Sequence, residues 1–152
     1  IDTPLNIYNK PADMCVAGFI GSPSINMAKG KLSAKNGSLA FDSGDYQLAL
    51  SPEQAKLLAG YENKAIVMGI RPEDMYDARF DTMAEFPAGF AATVDIVEPL
   101  GNEYHVVLKT AQHTFTARFD PKELPKMGQK LEITLDMAKA HFFDPESEAS
   151  LI

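Results

Sequence analysis

From residue 26 onward, apolar and polar residues alternate along much of the chain, which is the period-two pattern of half-buried β-strands. Early in this region the apolar positions flank Asn36-Gly37, a dipeptide that favours a tight hairpin turn. The alternating apolar positions are Leu32, Ala34, Leu39, Phe41, Tyr46, Leu48 and Leu50, and later Tyr104, Val106, Leu108, Phe115, Ala117, Phe119, Leu131, Ile133 and Leu135. Strands with one face on a core and one on solvent predict antiparallel sheets.

Other elements follow from apolar runs and from capping signals. Residues 65–70 and 92–98 each predict a further strand, the first of them fully buried. Ser51-Pro52-Glu53-Gln54 has the form of a capping box, so a short helix is predicted over residues 55–58 and ends before Gly60. Residues 77–90 carry no clear periodicity and are predicted to connect two β modules.

The first 25 residues have a different character. Thr3 can cap a helix that begins at Pro4, Pro11 interrupts it, and Gly21 ends a second helical piece. The sequence therefore predicts a mainly β fold with a short helical N-terminal lead-in. Short strands with regular turns indicate a barrel or a sandwich, and a small OB-like antiparallel barrel fits the size of the chain. The predicted organisation is a lead-in over residues 1–25 and a β region over 26–152, in which residues 26–76 and 91–145 each form one β unit.

Composition narrows the possible functions. The 152 residues carry a net charge of −7, and their Lys and Arg residues are scattered, so a nucleic-acid surface is not predicted. No stretch approaches the ~20 apolar residues that span a bilayer. The single cysteine, Cys15, excludes an internal disulfide and lies in an apolar run typical of a small buried hydrophobe.

The usual sequence signatures of catalysis are missing. Gly30-Lys31 lacks the glycine spacing of a phosphate-binding loop, and no serine or cysteine has a nucleophile context. His105, His113 and His141 lack metal-ligand spacing, and the first two alternate with core positions as solvent-facing residues would. We therefore predict no catalytic, cofactor or metal site, and no enzyme confined to this chain.

The segment from Gly69 to Asp74 is the most unusual. Pro72 suits the first position of a helical turn, and the acids after it suit a helix N-terminus. Arg71 therefore lies at a junction between a buried strand and a helical turn, where a charged side chain can be held at a surface or an interface.

Five segments in order carry a resemblance to a known family. They are Thr3-Pro4 with Ile7-Tyr8 and Pro11; residues 16–23 (Val-Ala-Gly-Phe-Ile-Gly-Ser-Pro) with Asn26; Gly69-Ile70-Arg71-Pro72-Glu73; residues 97–103 (Val-Glu-Pro-Leu-Gly-Asn-Glu); and His141-Phe142-Phe143-Asp144. Because it contains these segments in this order, the chain resembles the C-terminal regulatory region of ATPase subunits of sugar-type, maltose-like ABC importers. That region contains the TOBE domain, a β module also seen in molybdate-binding proteins. Apolar exchanges at Met14-Cys15 and Phe142, and a conservative exchange at Ser24-Ile25, depart from the family pattern only modestly.

The resemblance implies an ATP-hydrolysing domain before Ile1, and with it the ATP and magnesium that this chain is not expected to bind. It implies several partners: that ATPase domain, a second copy of the subunit in a homodimer, membrane-spanning permease subunits and, in some members, a regulatory protein. It also implies a cytoplasmic position, peripheral on the inner face of the membrane.

The resemblance also implies structural roles for individual residues. Gly21 and Gly101 are expected in turns, Pro23 where the chain leaves the lead-in, and Asn26 in hydrogen bonds to nearby backbone. His141 and Asp144 flank Phe142 and Phe143, which are expected to close the barrel core, with His141 at its rim.

Two interpretations of Arg71 and Glu73 stay open. They lock the strand-to-turn junction, or they contact the ATPase domain or the second subunit, for which the planar guanidinium is well suited. For the chain as a whole, the alternative to a regulatory region is a β module that binds a small oxyanion or sugar, through backbone amides at glycine turns.

Overall fold

The computed structural model describes residues 13–14, 24–35, 37–80, 83–120 and 122–152. Most of the predicted helical lead-in lies outside these residues, together with Cys15, Gly21 and Pro23. The described residues are mainly β, as predicted. Their strands are β1 Asn26–Lys35, β2 Ser38–Asp42, β3 Gln47–Ala49, β4 Ala65–Ile70, β5 Met75–Asp77, β6 Pro87–Leu100, β7 Glu103–Lys109, β8 Thr114–Phe119, β9 Lys130–Asp136 and β10 His141–Phe143.

Helical structure among the described residues is short. Helix α1 spans Pro52–Leu57, and 3₁₀ turns cover Ala59–Tyr61, Pro72–Asp74 and Met137–Lys139. The predicted capping box is confirmed, because Gln54 N donates to Ser51 Oγ and Ser51 N donates to the Gln54 side chain. The helix begins three residues earlier than predicted because Pro52 occupies its first turn.

Two antiparallel five-stranded sheets exchange one strand each. The first has the order β10-β4-β1-β2-β3 and the second β5-β9-β6-β7-β8. The last strand along the chain, β10, thus joins the sheet built mostly from early residues, and β5 joins the sheet built mostly from late ones. The two predicted β units are therefore tied together by strand pairing.

One main core lies between the sheets. Leu32 and Phe41 from the first sheet and Phe90, Val106 and Ile133 from the second are all buried in it. The rings of Tyr46 and Phe90 stack across the two sheets with centroids 4.6 Å apart. A second, smaller core of Ile25, Val67 and Phe143 lies on the opposite face of the first sheet.

The predicted connection over residues 77–90 is wrong at both ends. Met75–Asp77 forms β5, and β6 begins at Pro87 and pairs with β9 from that residue on. A Cβ on Gly89 would lie 2.5 Å from Ile133 O, so glycine allows the two backbones to approach closely. The pairing partner, which periodicity does not reveal, makes these residues a strand.

Candidate functional site

The segment Gly69 to Asp74 carries the chain from one sheet to the other. Strand β4 ends at Ile70, Arg71 is extended (φ −74°, ψ 147°), and after the turn Pro72–Asp74 the chain pairs in the second sheet from Met75. An extended residue before proline is the expected conformation. Asp74 N donates to Arg71 O at 3.0 Å and closes the turn.

The chain returns to the first sheet beside this crossing. Strand β9 ends at Asp136, the turn Met137–Lys139 follows, and His141 then pairs with Gly69. On the other side of the two crossings, Met75 pairs with Leu135. The two crossings therefore run side by side, and the charged residues of both turns are brought together. We call Arg71, Asp74, Asp136, Lys139 and His141 the crossing cluster.

The acids of the crossing cluster are buried. Asp74 is 8% exposed and Asp136 is 2% exposed. Burial raises the pKa of Asp74 to about 6. Lys139, whose Nζ lies 3.7 Å from Asp74 Oδ1, opposes this rise, and the charges of Glu73 and Asp136 add to it. Asp136 Oδ1 accepts hydrogen bonds from Phe86 N and Ala138 N, both at 3.2 Å.

Arg71 and His141 are the basic groups on the inner side of the cluster. Arg71 is 1% exposed, and burial lowers its pKa while the charge of Asp74 opposes that change. Burial, and then the charge of Arg71, lowers the pKa of His141 to about 4. His141 is therefore neutral at physiological pH beside a charged guanidinium. A contact between Arg71 and another domain or subunit stays a prediction, and it would require this side chain to become exposed.

Glu73 lies on the outer side of the same turn. Its side chain is 28% exposed, and its Oε2 lies 4.0 Å from Arg118 Nη2. Arg118 Nε is closer to Glu103 Oε2, at 3.2 Å. Partly exposed pairs of this kind contribute little stability. Of the two residues predicted as contacts, Glu73 is the one that another surface can reach.

Asn26 joins the two sheets next to the crossing cluster. Its Nδ2 donates to Ile70 O at 3.1 Å and to Thr116 O at 3.0 Å, and Thr116 N donates to its Oδ1 at 2.8 Å. The amide side chain thus matches the hydrogen-bonding groups on the edge of β8, as a neighbouring strand would. The expected bonds to nearby backbone are wrong, because the partners are 44 and 90 residues away along the chain.

The other marked residues lie in turns. Gly101 has φ +68° in the turn between β6 and β7, a conformation that favours glycine. Pro72 begins the turn of the first crossing. Asp144 accepts hydrogen bonds from Glu146 N, Ser147 N and Tyr61 Oη, each at 2.9 Å. These bonds lower the pKa of Asp144, with the Ser147 amide contributing most.

The expectation that Phe142 and Phe143 share one core is wrong. Phe142 is buried in the main core, whereas Phe143 is buried in the second core on the other face of the sheet. Adjacent residues of a strand point to opposite faces, so the two rings separate.

A further link between the sheets has no signal in the sequence. Asp45 in the turn after β2 accepts from Gln112 N at 2.9 Å, and its Oδ1 lies 3.4 Å from His113 Nδ1. Burial tends to raise the pKa of Asp45, but hydrogen bonds from Ser43, Thr110 and Gln112, with the charge of His113, lower it to about 2. The expectation that His105 and His113 face solvent is wrong, because each side chain is only 15% exposed.

The hydrogen bonds and ion pairs described above hold the two sheets together. Within the described ranges, no group of three or more His, Cys, Asp or Glu residues could hold a metal ion. No helix in the described part of the chain is long and apolar enough to cross a membrane.

Two family models match the chain in succession. The MalK OB fold domain matches residues 21–75, and the TOBE domain matches residues 68–143. The two matches overlap at the first crossing between the sheets.

Similar curated proteins align with almost all of this chain. It is 38% identical over 99% of its length to the multiple sugar-binding transport ATP-binding protein MsmK of Streptococcus mutans serotype c. It is 37% identical over 95% of its length to the trehalose/maltose import ATP-binding protein MalK of Thermococcus litoralis. It is 34% identical over 99% of its length to the oligosaccharides import ATP-binding protein MsmX of Bacillus subtilis. The chain spans 40%, 39% and 41% of these three proteins.

A solved structure shares the fold. The cytoplasmic molybdate-binding protein ModG, with molybdate bound, superposes with a TM-score of 0.62 at 17% sequence identity, over 79% of this chain and 96% of that one. At this identity the likeness concerns the fold alone, and it confirms the predicted OB-like architecture.

Proposed function

This chain belongs to the TOBE domain family and carries the MalK OB fold domain, and on that premise we propose that it is the regulatory and dimerisation region of the ATP-binding subunit of an ABC importer. The observation that carries the proposal is the alignment of nearly the whole chain with about two fifths of MsmK, MalK and MsmX, whose names all describe sugar transport. We place the region at the C-terminal end of the subunit, and sugars or related polyols are the proposed solutes.

In this proposal the remainder of the subunit supplies the chemistry. An ATPase domain that precedes residue 1 binds ATP and magnesium and hydrolyses the nucleotide to drive import. The subunit works as a homodimer on the cytoplasmic face of the inner membrane, against membrane-spanning permease subunits, and a regulatory protein is a further partner. The chain itself has no catalytic role.

The surface near the first crossing is the proposed place of contact with the ATPase domain or the second subunit. Glu73 is accessible there, and Arg71, Asp74 and Asp136 are buried behind the turn that presents it. A rigid turn loses little conformational entropy when it binds, which favours a specific contact. Arg71 contributes by positioning this turn from the inside.

The test compares the isolated chain, the full-length subunit and the subunit lacking residues 26–152. We expect Mg·ATP hydrolysis by the full-length subunit and none by the isolated chain. Light scattering should show a dimer for the full-length subunit and weaker self-association for the truncated one. Robust hydrolysis by the isolated chain, or unchanged dimerisation and regulation in the truncated subunit, would overturn the proposal.

A further inference from the structure

Asp74 and Asp136 lie opposite each other where the two crossings leave the second sheet. Strand β5 pairs with β9 from Met75 and Leu135 onward, and this register, continued by one position, brings the two aspartates face to face. Both residues are buried. Like charges at directly opposite positions destabilise a pair of strands, and the low dielectric of a buried site strengthens their repulsion. The closed arrangement is therefore costly when both carboxylates are charged.

The two carboxylates have different surroundings. Asp136 Oδ1 accepts from two backbone amides, those of Phe86 and Ala138. The Oδ1 of Asp74 lies 3.7 Å from Nζ of Lys139, whose side chain is mostly exposed. A lysine that water also solvates offsets the burial of a carboxylate only in part. Burial accordingly raises the pKa of Asp74 to about 6 in spite of Lys139, so this carboxyl changes its charge close to neutral pH.

Other charged and titratable groups surround Asp74 from each neighbouring element. Besides Asp136 and Lys139 of the return crossing, they are Arg71 after β4, Glu73 in the turn itself, Tyr76 in β5, Arg118 in β8 and His141 in β10. Burial lowers the pKa of His141 to about 4 and raises the pKa of Tyr76 above its ordinary value of 10. Both stay neutral between about pH 5 and 7.5, so neither compensates the charge that Asp74 gains as the pH rises.

Two backbone hydrogen bonds close the turn that carries Asp74. Asp74 N donates to Arg71 O at 3.0 Å, and Met75 N donates to Pro72 O. Opening of the turn would bring the Asp74 carboxylate into water and away from Asp136. In water its pKa returns toward 3.8, so the open turn releases the proton more readily than the closed turn does. Opening is therefore easier at a pH where Asp74 is charged.

We propose that Asp74 is a proton-operated latch on the turn Pro72–Asp74, and that its charge sets how rigidly the turn holds Glu73. When Asp74 is neutral, the turn stays closed against the return crossing. When Asp74 is charged, its repulsion from Asp136 opens the turn more often, so a contact made through Glu73 is weaker at neutral than at mildly acidic pH. The effect on a contact rests on the proposed function, whereas the opening of the turn does not.

Hydrogen exchange of the Asp74 amide in the 152-residue chain measures the opening, because this amide closes the turn. Its protection factor is the exchange rate of an unstructured peptide at the same pH divided by the observed rate. It should fall about tenfold from pH 5 to pH 7.5, as a pKa raised from 3.8 to about 6 implies. Protected amides of β7 report unfolding of the whole chain and should not fall in parallel, since the stability that His141 contributes grows over this range. A parallel fall, or no change at Asp74, would overturn the proposal.

Three variants assign the pH dependence to the carboxyl of Asp74. Asp74→Asn keeps the shape without the titration, so the amide at position 74 should keep a constant protection factor. Asp77→Asn is the matched control, because Asp77 is equally buried and its carboxylate is paired with Arg79 at 2.8 Å; the tenfold fall should persist there. Lys139→Gln changes an exposed side chain and serves if Asp74→Asn does not fold. Loss of its opposing charge should move the fall to higher pH. A fall that survives in Asp74→Asn, disappears in Asp77→Asn or stays in place in Lys139→Gln would contradict the latch.

The effect on the contact is measured in the full-length subunit. Light scattering at pH 5.5 and pH 7.5 compares the dimer dissociation constants of the unmodified and Asp74→Asn subunits. An open turn weakens binding in proportion to its population, so Asp74→Asn should dimerise about two- to threefold more tightly at pH 7.5 and equally well at pH 5.5. Equal affinities at pH 7.5 would overturn the effect on the contact. Because the exchange experiment uses the 152-residue chain alone, its result separates a failed latch from a contact that lies elsewhere.

Discussion

The side chain of Asn26 forms a two-way hydrogen-bonded pair with the backbone of Thr116, although the two residues belong to different sheets. Asn26 Nδ2 donates to Thr116 O at 3.0 Å, and Thr116 N donates to Asn26 Oδ1 at 2.8 Å. The geometry is that of one extra residue added to the edge of β8. Because the same Nδ2 also donates to Ile70 O at 3.1 Å, one amide ties the first crossing to both sheets.

Replacement of Asn26 should therefore weaken the fold. Asn26→Ala leaves backbone groups of Thr116 without partners, and we expect the free energy of unfolding to fall by about 2–3 kcal/mol. Asn26→Asp should be as harmful, because a carboxylate would face the two carbonyl oxygens to which Nδ2 now donates. Urea unfolding followed by circular dichroism measures both, with exposed Asn102→Ala as a control that should change stability by less than about 0.5 kcal/mol. A loss for Asn26→Ala no larger than that of the control would contradict this role.

The long strands could be predicted from the sequence because alternation is a local property of the chain. Residues 103–109, 114–119 and 130–136 each repeat the pattern long enough to show which face is buried. Strands β5 and β10 have three residues each, too few for a period, and they join the sheet of the other segment. Their pairing depends on contacts with residues far away in the sequence.

The candidate site likewise has a part that could be predicted from the sequence and a part that could not. The segment Gly69 to Asp74 could be singled out from its strand, proline and acids, and it does form the first crossing. Its neighbours could not be predicted, because Asp136 and His141 come from the return crossing more than sixty residues later. The link between Asp45 and His113 joins two turns in the same way, and neither turn carries a signal for the other.

Gly69→Ala should destabilise the protein through the second core. The added methyl group would meet Ile25 Cδ1 at 3.0 Å and Phe143 Cε2 at 3.1 Å, and these side chains are already packed. We expect a loss of about 1–2 kcal/mol in the free energy of unfolding, as for other insertions into packed cores. Gly60→Ala is the matched control, because nothing lies within 4 Å of its added Cβ. If the two variants unfold at the same urea concentration, the close packing around Gly69 has no energetic consequence.

Within the crossing cluster, Asp74 and His141 should change the stability of the folded chain in opposite directions between about pH 4 and 6.5. The pKa of Asp74 is raised from 3.8 to about 6 in the folded chain, so the stability that it contributes is full below pH 3.8 and is lost as the pH rises through about 6. The pKa of His141 is lowered from 6.5 to about 4, so its contribution is full above pH 6.5 and is lost as the pH falls through about 4.

Single substitutions separate these effects. Asp74→Asn should lose more stability than the unmodified chain on acidification from pH 6.5 to 4, because the contribution of His141 is then unopposed. His141→Gln should lose less stability over this range, or gain some. Urea unfolding at half-unit pH steps gives the slopes, and the remaining carboxylates affect all three proteins alike. Parallel slopes for the three proteins would show that neither group titrates as the burial of the cluster implies.

Substitution of Arg71 should lower the stability of the chain, whereas substitution of Glu73 should mainly affect dimerisation or regulation of the full-length subunit. Arg71→Ala removes a fully buried cation beside Asp74, so we expect a loss of about 3 kcal/mol in the free energy of unfolding of the chain. Glu73→Ala removes a partly exposed partner of Arg118 and should cost less than about 1 kcal/mol.

In the full-length subunit, Glu73→Ala should nevertheless weaken dimerisation or change the regulation of ATP hydrolysis, since its carboxylate is the accessible group of the turn. Glu103→Ala, which removes the closer partner of Arg118 outside the turn, controls for the loss of that ion pair. A Glu73→Ala subunit that dimerises and hydrolyses ATP as the unmodified subunit does would exclude this turn as the contact and leave it the structural role of joining the two sheets.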